Sequence, residues 1–423
     1  MKKLLRLCFL SLLAVLVLSS AGITVFAEGT ADLPFTVAGQ EVSASTESLN
    51  LANATPEEIE RLISALPSLT NLKNLTLGFA AAETPLVSWE QIGRIQEMRP
   101  DINIDYPFSV CGYQFHLNDE VLNLNHIRFE DEGALARQIA ACMPKLRIID
   151  MDSCGVSDES MAAIRNEFPG VEVIWRVYFG NAYSARTNVE RLLMSNPERD
   201  NTVWTNDVLK GLYYCTKVKY LDLGHLSLIS DCGWAANMPD LEVLIIAMTA
   251  IKDISALANC PKLNYLEFQT TAACDLSPLS GLKELKDLNI CYNFALRDIR
   301  PLYDVDLDRL WIGCLTPVPK EQIAEYQRLH PNCKVNTTTV NPTEEEWRTR
   351  SDLYPPTGVE RYQQLYEEFQ YGNFPMCYAY NENDPYFYNR FEYYMRIPRR
   401  RTGGGYDISP PRPRREEDIM SAG

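Results

Sequence analysis

Residues 218–223 read VKYLDL, 241–246 LEVLII, 263–268 LNYLEF, 285–290 LKDLNI and 307–312 LDRLWI. The starts lie 23, 22, 22 and 22 residues apart, and each hexapeptide is apolar at its first, fourth and sixth positions. A second apolar cluster fills three of the intervals: DISALANC at 253–260, DLSPLSGL at 275–282 and DIRPLYDV at 298–305. Self-similarity at a fixed short period means a stack of small units, none of which can bury its own apolar face alone.

The pattern L-x-x-L-x-L, a turn, then D-[IL]-[SR]-[AP]-L resembles the 22-residue, internalin-like class of the leucine-rich repeat family. The resemblance implies a parallel sheet lining a concave side. It also implies an asparagine at the ninth position of each repeat to satisfy backbone groups at the turn. Only Asn293 keeps that residue; Leu226, Thr249, Thr271 and Leu315 stand in its place elsewhere.

Upstream, the repeats are longer. Thr55 caps a helix that starts at Pro56-Glu57-Glu58, with Ile59, Leu62, Ile63 and Leu66 at helical spacing, and Pro67 precedes a strand at Leu72-x-x-Leu75-x-Leu77. The order helix, proline, strand recurs over 89–106, 134–151, 160–177 and 322–335, with a further strand at 121–124. These longer units have room for true helices on the back face, which the 22-residue units lack. The fold class is α/β, a right-handed leucine-rich repeat solenoid of about ten strands over 51–335, with a parallel concave sheet and helices or short turns on the convex side. The irregular repeats span 51–210, the 22-residue ones 218–312, and 179–209 reads as an insertion with a helix over 188–194.

The flanks differ in character. Lys2, Lys3 and Arg6, the apolar core from Leu10 to Leu18 and Val25-Phe26-Ala27 make residues 1–27 a secretory signal, its core too short to span a bilayer comfortably. Residues 28–50 form a polar lead. Residues 336–395 read as a C-terminal cap or aromatic-rich extension, with helices around 345–350 and 359–371, and 396–423 as a disordered tail.

Losing the signal takes the formal charge from −16 to −19, which argues against nucleic acid as a partner. Of twelve cysteines, Cys8 leaves with the signal, so at least one of the rest is unpaired within the chain. Cys142, Cys215 and Cys260 precede strands in the slot that Leu282 fills elsewhere, and Cys154 falls at a ninth position. All four read as small buried hydrophobes, with a few bridges open to an exported protein.

Strand side chains alternate, so the third, fifth and seventh positions of each repeat face outward from the concave sheet. Those columns mix aromatic rings, carboxylates and bare aliphatics. The expected binding face is Trp175, Tyr220, Asp222, Ile245, Tyr265, Glu267, Asn289 and Trp311. Aromatic anchors of this kind mark interfaces. The same columns could instead be covered by flanking loops or by the C-terminal segment.

No catalytic centre emerges. His225 lies on the concave rim, but Cys291 is three strands away, about 14 to 15 Å at the usual strand spacing, beyond the reach a thiol and its base require. His116 and His126 bracket Asp119 and Glu120 without zinc-ligand spacing. Phosphate loops, nucleophile elbows and calcium loops are absent. The expectation is a secreted, non-enzymatic bacterial protein without cofactor or metal and without stable membrane insertion. Its concave face takes a protein or peptide, on a host or neighbouring cell. A glycan-binding module and a self-assembling envelope protein are the alternatives.

Overall fold

The computed structural model describes residues 33–180, 183–194, 204–313, 315–343, 346–350 and 357–358. The expected signal, the tail and the helix over 359–371 lie outside them. The chain divides into two compact units, one of Met1–Asp119 with Ala141–Pro144, the other of Glu120–Ala140 with Lys145–Gly423.

The first unit opens with a hairpin, β1 (Phe35–Val37) and β2 (Gln40–Val42), so the polar lead is structured from Phe35 on. Phe35, Val37 and Val42 bury there. The strand β3 (Ser48–Asn50), helix α1 (Pro56–Ala65), strands β4 (Asn74–Thr76) and β5 (Ala80–Ala81), helix α2 (Trp89–Met98) and strand β6 (Asn103–Asp105) follow. Thr55 and Glu58 close the capping box foreseen at α1, and Ser88 and Gln91 repeat it at α2. Strands β3, β4 and β6 form a parallel ladder. A second hairpin, β7 (Pro107–Val110) and β8 (Tyr113–His116), pairs with β5.

The second unit begins with β9 (Val121–Asn123), α3 (Ala134–Cys142), β10 (Ile148–Asp150), α4 (Asp158–Glu167) and β11 (Glu172–Ile174). Strands β9, β10 and β11 make another three-stranded parallel ladder. A third hairpin follows, β12 (Arg176–Phe179) and β13 (Tyr183–Arg186). The largest ladder then runs through β14 (Arg191–Leu193), β15 (Tyr220–Asp222), β16 (Val243–Ile245), β17 (Tyr265–Glu267), β18 (Asp287–Asn289), β19 (Arg309–Trp311) and, after α5 (Lys320–Leu329), β20 (Lys334–Asn336). All six pairings are parallel and keep the repeat in register, Leu221, Leu244, Leu266, Leu288 and Leu310 standing side by side. These leucines, with Leu223, Ile246, Phe268, Ile290 and Ile312, are buried against the short 3₁₀ turns of the back face.

Three expectations are corrected. The parallel repeat strands form not one ladder but three, of three, three and seven strands, and in sequence a hairpin precedes each. The stretch 188–194 holds a turn and strand β14, not a helix: Leu192 pairs opposite Leu221 and takes the inward position of a repeat. Residues 346–350 form a turn and a short strand, β21 (Thr349–Arg350), which pairs with β22 (Thr357–Gly358), not a helix. The order hairpin, strand, helix, strand, helix, strand thus occurs twice and begins a third time. Its echo is legible in PFTVAGQEV at 34–42 and PFSVCGYQF at 107–115.

The turns after β9, β10 and β15 to β18 are built on a left-handed residue at the eighth position: His126, Ser153, His225, Met248, Thr270 and Tyr292 have φ between 57 and 66°. Where the asparagine is missing at the ninth position, hydroxyls do part of its work. Thr249 Oγ1 donates to Ile246 O at 2.8 Å and Thr271 Oγ1 to Phe268 O at 3.0 Å. Asn293 Oδ1 accepts Thr271 N at 2.9 Å. In the last repeat the role passes to Thr316, which donates to Gly313 O at 3.0 Å, while Leu315 is exposed. Cys142, Cys154, Cys215 and Cys260 are buried free thiols. Burial pushes the Cys142 thiol up to about 11 and those of Cys154, Cys215 and Cys260 up to about 12.

Candidate functional site: the outward face of the seven-stranded ladder

Register puts Tyr220 and Asp222, Val243 and Ile245, Tyr265 and Glu267, Asp287 and Asn289, Arg309 and Trp311 on the face opposite the leucine core. Seven of the eight expected residues therefore lie together. They are not open to solvent: Glu267, Asn289 and Trp311 are 0 % exposed, Tyr220 and Tyr265 1 %, Asp222 and Ile245 2 %.

Trp175 is not among them. Val173, not Ile174, stands opposite Ile149, so Trp175 takes the sixth, inward position beside Met151. A slip of one residue moves a side chain to the other face of a strand. Its indole Nε1 donates to Asp158 Oδ1 at 2.8 Å, and the Arg165 guanidinium lies 4.2 Å from the ring centroid. Both partners belong to α4, so Trp175 is core. Arg176 takes the seventh position and reaches outward.

The chain's own segment after β20 lies on the face. Asn336 Oδ1 accepts from Thr338 N at 3.1 Å and Thr339 N at 3.0 Å, which turns the chain back. Thr339 crosses Gly313 so closely that a Cβ there would sit 2.9 Å from Thr339 O and 3.0 Å from Thr339 N. Side chains of the ladder then hold backbone carbonyls of the segment. Tyr292 Oη donates to Val340 O at 2.9 Å, Asn289 Nδ2 to Pro342 O at 2.6 Å, and Arg309 Nη1 to Glu346 O and Trp347 O at 3.0 Å each.

Trp347 is the anchor. Its ring is fully buried between Tyr265, at 5.3 Å between centroids, and Trp311, at 5.2 Å, with the Arg309 guanidinium 4.3 Å from its centroid. Tyr220, Val243, Ile245, Ala247 and Cys291 complete the same apolar cluster. Beneath the ring, Glu267 Oε1 accepts from Trp347 Nε1 at 2.8 Å and Arg348 Nε at 2.7 Å, and also from the Tyr265 hydroxyl. Glu267 Oε2 accepts from Arg348 Nη2 at 2.5 Å and from Gln269 Nε2 at 3.2 Å. Burial alone would raise the Glu267 carboxyl, but the Arg348 charge and these hydrogen bonds outweigh it and hold the group below its ordinary range. Burial, then the Glu267 charge, drives the Tyr265 phenol well above its ordinary value.

Arg309 Nε reaches Asp287 Oδ1 at 2.5 Å, so the cation over Trp347 is itself paired. The arrangement can hold a peptide: amide, phenol and guanidinium donors for carbonyls, an aromatic slot for a flat ring, and a carboxylate for a guanidinium. Cys291 is buried in the same apolar cluster as Trp347, whereas His225 is exposed. Trp347 and Arg348 were invisible to the repeat pattern, their one sequence signal being a lone tryptophan in a polar stretch. Among the described residues no helix is long and apolar enough to cross a membrane.

No protein-family model and no curated protein matches this sequence. Among solved structures it is similar to an internalin from Listeria monocytogenes, at 16 % identity over 72 % of this chain and 86 % of that one, with a TM-score of 0.26. Internalin C2 from the same species is 17 % identical over 60 % and 86 %, at 0.26. A leucine-rich repeat protein of Leptospira interrogans is 14 % identical over 69 % and 81 %, at 0.30. The leucine-rich repeat fold stands on the chain's own period, parallel register and turns.

Proposed function

We propose that this leucine-rich repeat chain is an exported, non-enzymatic binding protein whose concave face takes a protein or peptide partner. One observation carries the reading: the face is built to hold peptide, because it holds residues 339–343 and 346–348 of its own chain. Three ladder side chains, Asn289, Tyr292 and Arg309, are spent on carbonyls of that segment. Bonds to main-chain carbonyls suit many sequences, while Glu267 and the slot beside it select side chains. A glycan would leave Glu267 without a cation, which favours a peptide over the carbohydrate alternative. Export is read from the basic start, apolar core and Val25-Phe26-Ala27 of the N-terminus.

Two measurements test this. N-terminal sequencing of protein recovered outside the producing cell is expected to start at Glu28. Partner capture with the exported chain is to be repeated with Trp311→Ala and Asn289→Ala. A partner retained equally by both folded variants places recognition elsewhere and ends the concave-face reading.

A further inference from the structure

We infer that Trp347 and Arg348 are an internal ligand, and that the partner entering this face is a peptide presenting the same pair, an aromatic ring with an N–H donor followed by arginine. The inference rests on the concave-face reading and names both the chemistry of the partner and what holds the site closed. Its core is the geometry at Glu267. Among the described residues of its own ladder, the Tyr265 hydroxyl and Gln269 Nε2 donate to the carboxylate; the cation and the indole N–H both come from the segment. A fully buried carboxylate is costly to leave without a cation. The site is therefore complete only with a guanidinium in it, whichever chain supplies the group.

The geometry also sets selectivity. Rings stand 5.2 and 5.3 Å away on two sides of Trp347, so the slot takes a flat side chain, and its floor accepts one N–H. The two Glu267 oxygens receive Arg348 Nε and Nη2 as a fork, which a lysine cannot reproduce. The segment holding the pair is separable from the repeats. It follows the last ladder strand and contributes no leucine to the core. Around the pair it is fixed by side chains of the face reaching its carbonyls. Its advantage over an incoming peptide is tethering, an effective concentration of about the millimolar order.

The test opens the site without touching the ladder. In the full chain, Trp347→Ala and Arg348→Ala are combined, and folding is checked by circular dichroism and urea unfolding. A synthetic peptide of residues 340–350 is then titrated in. Binding at least about 30-fold tighter than to the unaltered chain is expected, since a site that is mostly closed weakens apparent affinity by its open fraction. Changing the peptide's arginine to lysine, or adding Glu267→Gln to the opened chain, is expected to lower affinity by about tenfold or more. A folded, opened chain that does not bind the peptide, or binds the lysine form equally well, overturns the inference.

If the double variant does not fold, hydrogen exchange on the unaltered chain decides. Millimolar peptide is expected to speed exchange at the chain's own 340–343 and 346–348, and unchanged protection overturns the inference. The function reading fails separately, when a captured partner ignores Trp311→Ala and Asn289→Ala even though the peptide binds.

Discussion

The indole Nε1 of Trp347 donates to Glu267 Oε1 at 2.8 Å across 80 residues of chain, and Arg348, the next residue, grips both oxygens of the same carboxylate. The pairing has counterparts along the repeats. In the second ladder the outward Asp152 is held by Arg176 at 2.6 Å and Asp150 by Arg186, both arginines coming from the hairpin of β12 and β13. In the first, Asp105 meets His116 of the hairpin of β7 and β8 at 2.5 Å. Each of these four carboxylates is thus answered by a basic side chain from a segment outside its ladder, whereas Asp287 is answered within its own ladder by Arg309. In the seven-stranded ladder that segment is the chain's C-terminal stretch, tethered at one described end and laid over a face with peptide chemistry.

The Glu267–Arg348 pair predicts a strongly coupled double-mutant cycle. Glu267→Leu leaves the Arg348 charge without its carboxylate, and Arg348→Leu leaves a fully buried anion. Breaking a buried pair from one side costs about 3 to 5 kcal/mol, and Arg348, 22 % exposed, puts its side at the low end. The double variant is expected to recover about 2 kcal/mol of the summed loss. Urea unfolding of the four proteins measures it, and additive losses would show the pair to be uncoupled.

The same carboxylate sets the pH window for the segment. Its folded value lies below the ordinary glutamate value, so its stabilisation is fully present above about pH 4.3 and is lost as the pH falls through the depressed folded value. Tyr265 is shifted up, so its contribution is full below about pH 10 and fades only in stronger alkali. Hydrogen exchange at 340–343 and 346–348 is expected to be protected across neutral pH and to lose protection in acid before the ladder amides do. Glu267→Gln should remove that acid step; its persistence in the variant would assign it to another group.

Gly313 offers a lever on the segment alone. A methyl there meets Thr339 backbone atoms at 2.9 and 3.0 Å, which cannot swing away as a flexible side chain would. Gly313→Ala is expected to lift 339–342 from the face at a cost of about 1 to 3 kcal/mol. Exchange there should quicken while the inward leucines Leu288 and Leu310 keep their protection. Equal loss of protection in β18 and β19 would show that segment and ladder unfold as one.

The repeat core was legible in the sequence because the 22- to 23-residue period fixes the phase of each strand from β15 to β19, even where both parities are apolar as in LEVLII at 241–246. The stretch VEVIWRV at 171–177 was not, because Val173 and Trp175 carry one parity while Ile174 stands in the other. What decides it is tertiary: the pairing of Val173 with Ile149, and an indole seated on α4. The strand β14 was hidden because RLLM is too short to separate helix from strand by period. Trp347 could not be placed at all, since its partners are contributed by β17 and β19, far away in sequence.

The corrected position of Trp175 reverses what its removal should do. As a concave residue it would have weakened binding and left the fold intact. Buried between α4 and Tyr214, with Arg165 stacked on its ring and Asp158 accepting from its Nε1, it is a structural anchor. Burial of Asp158 raises its carboxyl above the ordinary value, and the indole N–H partly offsets this, so Trp175→Ala also removes a partner from a group that needs one. A loss of about 3 to 5 kcal/mol is expected for a large aromatic cut from a core. Trp175→Phe should keep most of the packing and lose about 1 to 2 kcal/mol with the hydrogen bond. Urea unfolding of both variants orders them, and a Trp175→Ala protein as stable as the unaltered chain would return this ring to the surface.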